Sequence, residues 1–534
     1  MFDYDRTLQY ANQAEMGSKL DLGKALRALT EGTRVAGISY ASFTDGEDCT
    51  DELNALVRAL GTNCTIFVVE PGTYTIDALD LAAYVFRLVG GPGVIFKHAT
   101  NATGPMFTVG SRTVFEGVEF NGNKANLSTD RAIIYANNPT RLRIQCCKFS
   151  SGSKHFVHID DGQDNDVSMN EMSDCDQTAI EFFAKTSAGC KRNIVARNII
   201  DRTTNGAADG GGIKFSYSTG GTCDDNKALA NVVRLSNAPS GSNQVCIECW
   251  SPGRGFAAVH NTVIGGEIGI SVANDQQHAV IAANHGQDCD TIIFEVVDGA
   301  CYASVTGNTG DGNANSVTII SIDGTGGDAL YNVVSGNTCK GPTSRCILLW
   351  SGADQATVAG NRLHHAAAST YGLEANTVDG LSLTGNTANG GGTAGFLFTN
   401  CNDWNADNNR SVGNMHPFQV VANDAAVDNI SLGNWHAVSA SGFQLVIQGT
   451  GSFGDNISSG IIHGATPYGV TMASFRRLKA SFADCIWSGG LTTFDPNSIP
   501  VDGEIMSELS DVTNGVKYLN TTGANTGWKT VTHS

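Results

Sequence analysis

Basic residues are the scarce class here: 33 lysines and arginines face 52 aspartates and glutamates across 534 residues, a net charge of −19. So acidic a chain is repelled by phosphate backbones and anionic lipid, which argues against nucleic acid and membrane surfaces as partners. No run of eighteen or more apolar residues occurs, so no membrane insertion is expected. The opening MFDYDRTLQYANQAEMG carries acidic residues and no apolar stretch, so it does not read as an export signal. Proline is rare, with 11 residues, and helical periodicity is missing from the middle of the chain. The 15 cysteines are odd in number and widely spread, which argues against a disulfide framework and for reduced thiols used as small core residues. In a strand, Cys246 and Cys249 point to opposite faces and share neither a metal nor a disulfide. General disorder is excluded by a hydrophobic content of 41%.

What the chain has is a repeat. A short alternating strand followed by Asn recurs as IVARN ending at Asn198, FAAVHN at Asn261, AVIAAN at Asn284, ASVTGN at Asn308, NVVSGN at Asn337, ATVAGN at Asn361, LSLTGN at Asn386 and ISLGN at Asn434. Weaker copies end at Asn170, Asn226, Asn408 and Asn456, and Val118, Cys147 and Cys485 hold the slot without Asn. From Val118 to Cys485, fourteen steps give a mean period of about 26 residues, within the range of stacked repeats. An earlier strand precedes each copy, among them GIKFS, CIECW, GISVA, IFEVV and CILLW, with Gly/Asn/Asp-rich turns between. Two or three short strands per period describe an all-β chain wound as a parallel β-helix. The Asn slot fits an internal ladder of buried amides, a structural role.

The ends depart from this period. Residues 1–34 form a short stub in which LDLGKALRALTEG reads as a helix, and 35–110 form the entry and cap of the solenoid. Within that cap a Thr50 or Asp51 N-cap opens a helix bearing Leu53, Leu56, Val57 and Leu60, placed to cover the open end of the apolar column. Residues 111–497 are the β-helix proper, and 498–534 a small C-terminal β module suited to capping or trimerisation.

The segment Asp45-Gly46…Asp51…Leu53-Asn54-Ala55, then Val68-Val69-Glu70-Pro71-Gly72-Thr73-Tyr74, resembles the opening signature of pectate-lyase-like right-handed β-helix proteins. The overall plan is similar to that of bacteriophage tailspikes. The resemblance implies a homotrimer on the virion tail that binds and cleaves capsular or O-antigen polysaccharide of the bacterial surface. The stub is shorter than a typical tail-binding head domain, which points to docking on another tail fibre or an adaptor protein. No cofactor is expected.

Chemistry can be placed by register, because outward residues at one register form a column along a β-helix. Glu248 and Glu295 each lie 13 residues before their Asn, with Ser271 at the same offset on the intervening rung. Two rungs correspond to about 9.6 Å, and side-chain tilt would bring the carboxyls to the roughly 6.5–9.5 Å of an inverting glycoside hydrolase. Glu248 and Glu295 are therefore the candidate acid and base, in either order, and small Ser271 leaves room for substrate. Trp250 and Trp350, both 11 before their Asn, offer platforms for sugar rings. Lys214, Arg254 and Asp209 complete the candidate substrate-binding set, and Glu181 with Lys185, Glu374 and Glu267 are rival acids. The run Asp160–Asp166 reads as a solvated turn rather than a calcium loop, and His364-His365 point apart, so no metal site is expected.

Three functions remain open at this level. One is an endo-acting depolymerase working by glycoside hydrolysis. Another is a polysaccharide lyase, with Lys214 or Arg254 neutralising a uronate and Tyr217 or His260 as base. The third is a non-catalytic receptor-binding spike. Association is expected in each, because IIFEVV at 292–297 is apolar on both faces.

Overall fold

The computed structural model describes residues 38–127, 131–202, 210–236, 244–312, 318–365 and 370–421, and beyond these a few separate strands. Two compact units divide the chain: Met1–Ile159 with Asp164–Cys175, and Asp160–Gln163 with Asp176–Ser534. Both are built from parallel β-solenoid turns, so the chain is all-β with very few helices. None of the described helices is long and apolar enough to cross a membrane. The expected stub helix lies outside the described residues.

The first unit opens as its motif suggests, for a concrete reason. Asp45 Oδ1 accepts the Thr73 amide at 2.7 Å and Gly46 N donates to Thr73 O, locking the Pro71-Gly72 turn against the entering chain. The helix Thr50–Leu60 buries Leu53 and Val57. Its cap differs from expectation: Cys49 holds the N-cap position without a side-chain bond, and Asp48 Oδ1 takes the Thr50 amide at 2.9 Å. Inside the coils, Phe96, Phe107, Phe115, Phe120 and Phe149 pack ring on ring.

In the second unit each turn carries one longer strand and two short ones flanking the Asn. The longer strands, Ile180–Ala184 through Leu445–Gln448, form one parallel ladder of eleven. Alternate residues face inward: Ile247, Ile270, Phe294, Ile320, Ile347, Leu373, Phe396 and Phe418 stack in register, all essentially unexposed. Each such side chain stabilises the fold by about 1.5–3 kcal/mol relative to exposure.

The short strands turn at a sharp corner fixed by the Asn ladder. Asn198, Asn231, Asn261, Asn284, Asn308, Asn337, Asn361 and Asn386 each pass amide hydrogen bonds to the Oδ1 of the next, ending at Asn409. Each spare N–H meets a backbone carbonyl, as Asn284 Nδ2 does at Ala258 O, 2.9 Å. Two steps read from sequence shift by a few residues: Asn231 and Asn409 are the rungs, while Asn226 belongs to a second ladder with Asn193. Asn434, Asn456 and Cys485 lie outside the described residues.

The residue before each Asn is left-handed, with φ of 65° at Gly307, 64° at Gly336 and Gly360 and 65° at Gly385. That explains the recurring Gly-Asn pair, since glycine alone adopts this corner without strain. Ala283 adopts it at φ 54°.

The C-terminal strands Glu508–Asp511, Val516–Asn520 and Trp528–Thr530 pair antiparallel. Ile292–Val297 corrects the argument for association. Ile293 is fully buried within the single chain, in a space left by Gly286, where a Cβ would come within 2.1 Å of its Cγ2. This strand needs no second subunit to cover it. All fourteen described cysteines are free, with Cys246 and Cys249 both buried and Cys146 exposed beside buried Cys147. Asp160 and Asp161 are not a solvated turn: both are buried, Asp161 accepts the Lys185 and Thr186 amides, and Asp160 pairs with Lys185.

Two stability outcomes follow from the corner. Asn284→Ala orphans the Asn261 amide and breaks the ladder, so unfolding by denaturant should show a loss of about 2–4 kcal/mol; a loss below about 0.5 kcal/mol would show the ladder to be dispensable. Ala283→Gly should stabilise by about 1 kcal/mol by relieving the left-handed alanine, and a destabilisation in the same assay contradicts that account.

Candidate active site

The outward face of the long ladder in the second unit places the candidate residues in one file. Glu181 pairs with Lys214, Lys214 with Glu248, Glu248 with Ser271, Ser271 with Glu295, and Glu295 with Ser321. The two glutamates are thus two ladder steps apart. Inward neighbours Ile247, Cys249, Phe294 and Val296 are buried and hold both strands flat, so the glutamates have no freedom to turn inward.

Their surroundings differ. Glu248 Oε2 is 2.7 Å from Lys214 Nζ, and that ammonium also sits 4.9 Å from the Trp250 ring centroid. A cation over an indole face is held by the ring quadrupole as well as by the carboxylate. Among the described residues no cation pairs with Glu295; its Oε2 accepts the Ser271 hydroxyl at 2.7 Å. Burial pushes the Glu295 carboxyl up to about 7, the nearby negative charges of Glu248, Asp298 and Asp323 add to the rise, and the Ser271 hydrogen bond opposes it. One carboxylate faces an ammonium, whereas the other is pushed toward its protonated form by burial, so the two sit in different environments.

The other expected residues are placed as follows. Trp250, 45% exposed, is at the end of the Glu248 strand and pairs with Ala273. Trp350 follows on the same file through Asp323 and is partly buried. Ser271 was expected to border substrate; it is 4% exposed and its hydroxyl is committed to Glu295, so it positions that carboxyl instead. Arg254 is exposed in the separate strand Gly253–Arg254 and forms no ion pair with either glutamate. Asp209 lies outside the described residues.

The rivals have structural partners. Glu374 is buried and ion-paired with Arg345, Glu181 accepts the Ser216 hydroxyl at 2.9 Å, and Lys185 turns to Asp160 rather than to Glu181. Glu267 is buried at 8% exposure. His365 is buried and pushed down to about 4 by burial and by His364, while His364 is exposed. Of the residues expected for β-elimination, Lys214 is engaged by Glu248, and His260 sits at the corner between the short strands, off the file. Sequence register located the file, but the Ser271–Glu295 bond had no signal in sequence, because a serine between two acids reads only as a small residue.

No family model and no curated protein matches the chain. Among solved structures it is similar to the A-module of a mannuronan C-5 epimerase from Azotobacter vinelandii, at 16% identity and a TM-score of 0.37 over 67% of this chain and 92% of that one. It is also similar to the surface adhesin PfbA of Streptococcus pneumoniae, at 10% identity and 0.41 over 92% and 98%. A third is the catalytic unit of an alpha-1,3-glucanase from Streptomyces thermodiastaticus, at 13% identity and 0.36 over 83% and 71%. These likenesses are too distant to assign an activity to this chain.

The electrostatics set a stability test with a definite sign. The folded-state carboxyl of Glu295 titrates above its ordinary value of 4.5, so its ionisation costs stability as pH rises from about 4.5 through about 7. Glu295→Gln, which cannot ionise, should match wild type near pH 4 and be more stable by about 3 kcal/mol above pH 8. Melting curves across that range check it, and a difference independent of pH refutes it.

Proposed function

We propose that the protein binds bacterial surface polysaccharide, capsular or O-antigen, and cleaves it internally by glycoside hydrolysis. The observation that carries this reading is the Glu248–Ser271–Glu295 file, with one carboxylate ion-paired and the other partly buried and protonatable. Glu295 serves as general acid. Ser271 donates to its Oε2, leaving Oε1 to carry the proton to the glycosidic oxygen. Glu248, held through Oε2 by Lys214, has Oε1 to take a proton from the attacking water. Two ladder steps leave space for that water, which favours inversion at the anomeric carbon. Trp250 offers its exposed ring edge and uncovered face to a sugar.

The reading extends to a phage tailspike: a homotrimer displayed on the virion, with residues 1–34 docking onto another fibre or an adaptor. Its support is the opening motif from Asp45 to Tyr74 and the solenoid that follows, not the active-site geometry.

Purified protein should shorten one or more polymers from a panel of encapsulated bacteria, releasing reducing ends without an ultraviolet-absorbing unsaturated product. Glu248→Gln and Glu295→Gln should each lose about 10²–10⁴-fold in kcat, with folding checked by circular dichroism. Activity should fall as pH rises through about 7, where the acid loses its proton. Unsaturated products would make it a lyase, cleavage surviving both substitutions would move the site elsewhere, and binding without any cleavage would leave a receptor spike.

A further inference from the structure

We propose that the polysaccharide segment held over this file is uncharged, with no uronate or other acidic group on the sugars flanking the cleaved bond. This rests on the reading of the file as a polysaccharide site and adds the substrate's charge class. The six strands Ile180–Ala184, Ile213–Tyr217, Val245–Trp250, Ile268–Ala273, Ile292–Val297 and Thr318–Asp323 carry Glu181, Glu248, Glu295 and Asp323 against one cation, Lys214. Asp298, in the turn after the Glu295 strand, adds another carboxylate whose charge reaches Glu295.

Lys214 is already engaged on this face. Its ammonium is shared between Glu248 at 2.7 Å and the Trp250 ring, and its side chain is only 25% exposed. Other cations bordering these strands are also paired: Lys185 with Asp160, Lys191 with Asp224, and Arg345 with Glu374. Arg254 forms no ion pair among the described residues but stands past the end of the Glu248 strand, its own amide at 3.2 Å from Asp224 Oδ1. The connecting segments 203–209, 237–243 and 313–317 contain no lysine or arginine. A sugar carboxylate placed over Glu248 and Glu295 would therefore meet like charge on a partly desolvated face, where the described cation of these strands, Lys214, is already paired. A neutral sugar meets the exposed part of Trp250 and carboxylates able to accept its hydroxyls.

The test uses full-length wild-type protein at about pH 9, where Glu295 has lost its proton, so the repulsion is greatest and turnover least. Uronate-bearing capsular polymers are titrated by calorimetry in native form and after carboxyl reduction to neutral hexose, alongside uronate-free polymers. Uronate-free and carboxyl-reduced polymers are expected to bind, with the native uronate forms weaker by about tenfold or more at low salt. That gap should narrow as salt rises. Native uronate polymers binding as tightly as their reduced forms, or a panel in which no uncharged polymer binds, overturns the inference. So does selective loss of uronate binding in Lys214→Met. If a bound uncharged polymer releases no reducing ends from active wild type near pH 6, the hydrolase reading falls and the charge preference stands.

Discussion

A buried asparagine cannot leave its amide unsatisfied, and much of the second unit follows from how that demand is met. Each side chain in the ladder donates to the next rung's Oδ1 and to a backbone carbonyl, so a rung can neither slip nor skip without orphaning several polar groups. The left-handed residue ahead of it, most often glycine, makes the corner tight enough for the amide to reach both neighbours. Register is thereby pinned every 23 to 33 residues along this ladder, whatever the length of the connecting turns.

Fixed register is what turns spaced residues into a site. Strand period two sends Ile247 and Cys249 inward and Glu248 outward, and parallel pairing then stacks Lys214, Glu248, Ser271 and Glu295 one per rung. The difference between the two glutamates comes from their neighbours in that file. One rung away Glu248 finds an ammonium, whereas Glu295 finds only serine hydroxyls, Ser271 and Ser321, in a partly buried setting. Desolvation without a countercharge favours the neutral acid. Among the described residues of these strands Lys214 is the one cation, and it lies against Glu248.

The sequence's readable features were those with local causes. The Gly-Asn corner, the alternating strands and the Asp45–Tyr74 opening each reflect short-range backbone or hydrogen-bond requirements, and each can be located in the fold. Errors came where contacts between rungs decide. Asn226 and Asn231 look equivalent in sequence, yet they serve two different ladders. Ile293 looks like an exposed apolar residue by alternation, yet Gly286 on an adjoining strand opens a space for it. Asp160 and Asp161 look like solvent-facing turn acids, yet Lys185 and the Thr186 backbone enclose them.

The sequence by itself determined the all-β solenoid, its Asn-bearing corners and the file on which Glu248 and Glu295 both stand, because backbone periodicity and turn chemistry repeat within each copy. Tertiary structure alone decided which glutamate is ion-paired and which is protonatable, and that Ser271 serves Glu295 rather than solvent. Those outcomes depend on the distance between side chains on different rungs and on how far each is withdrawn from water, quantities that residue spacing does not contain.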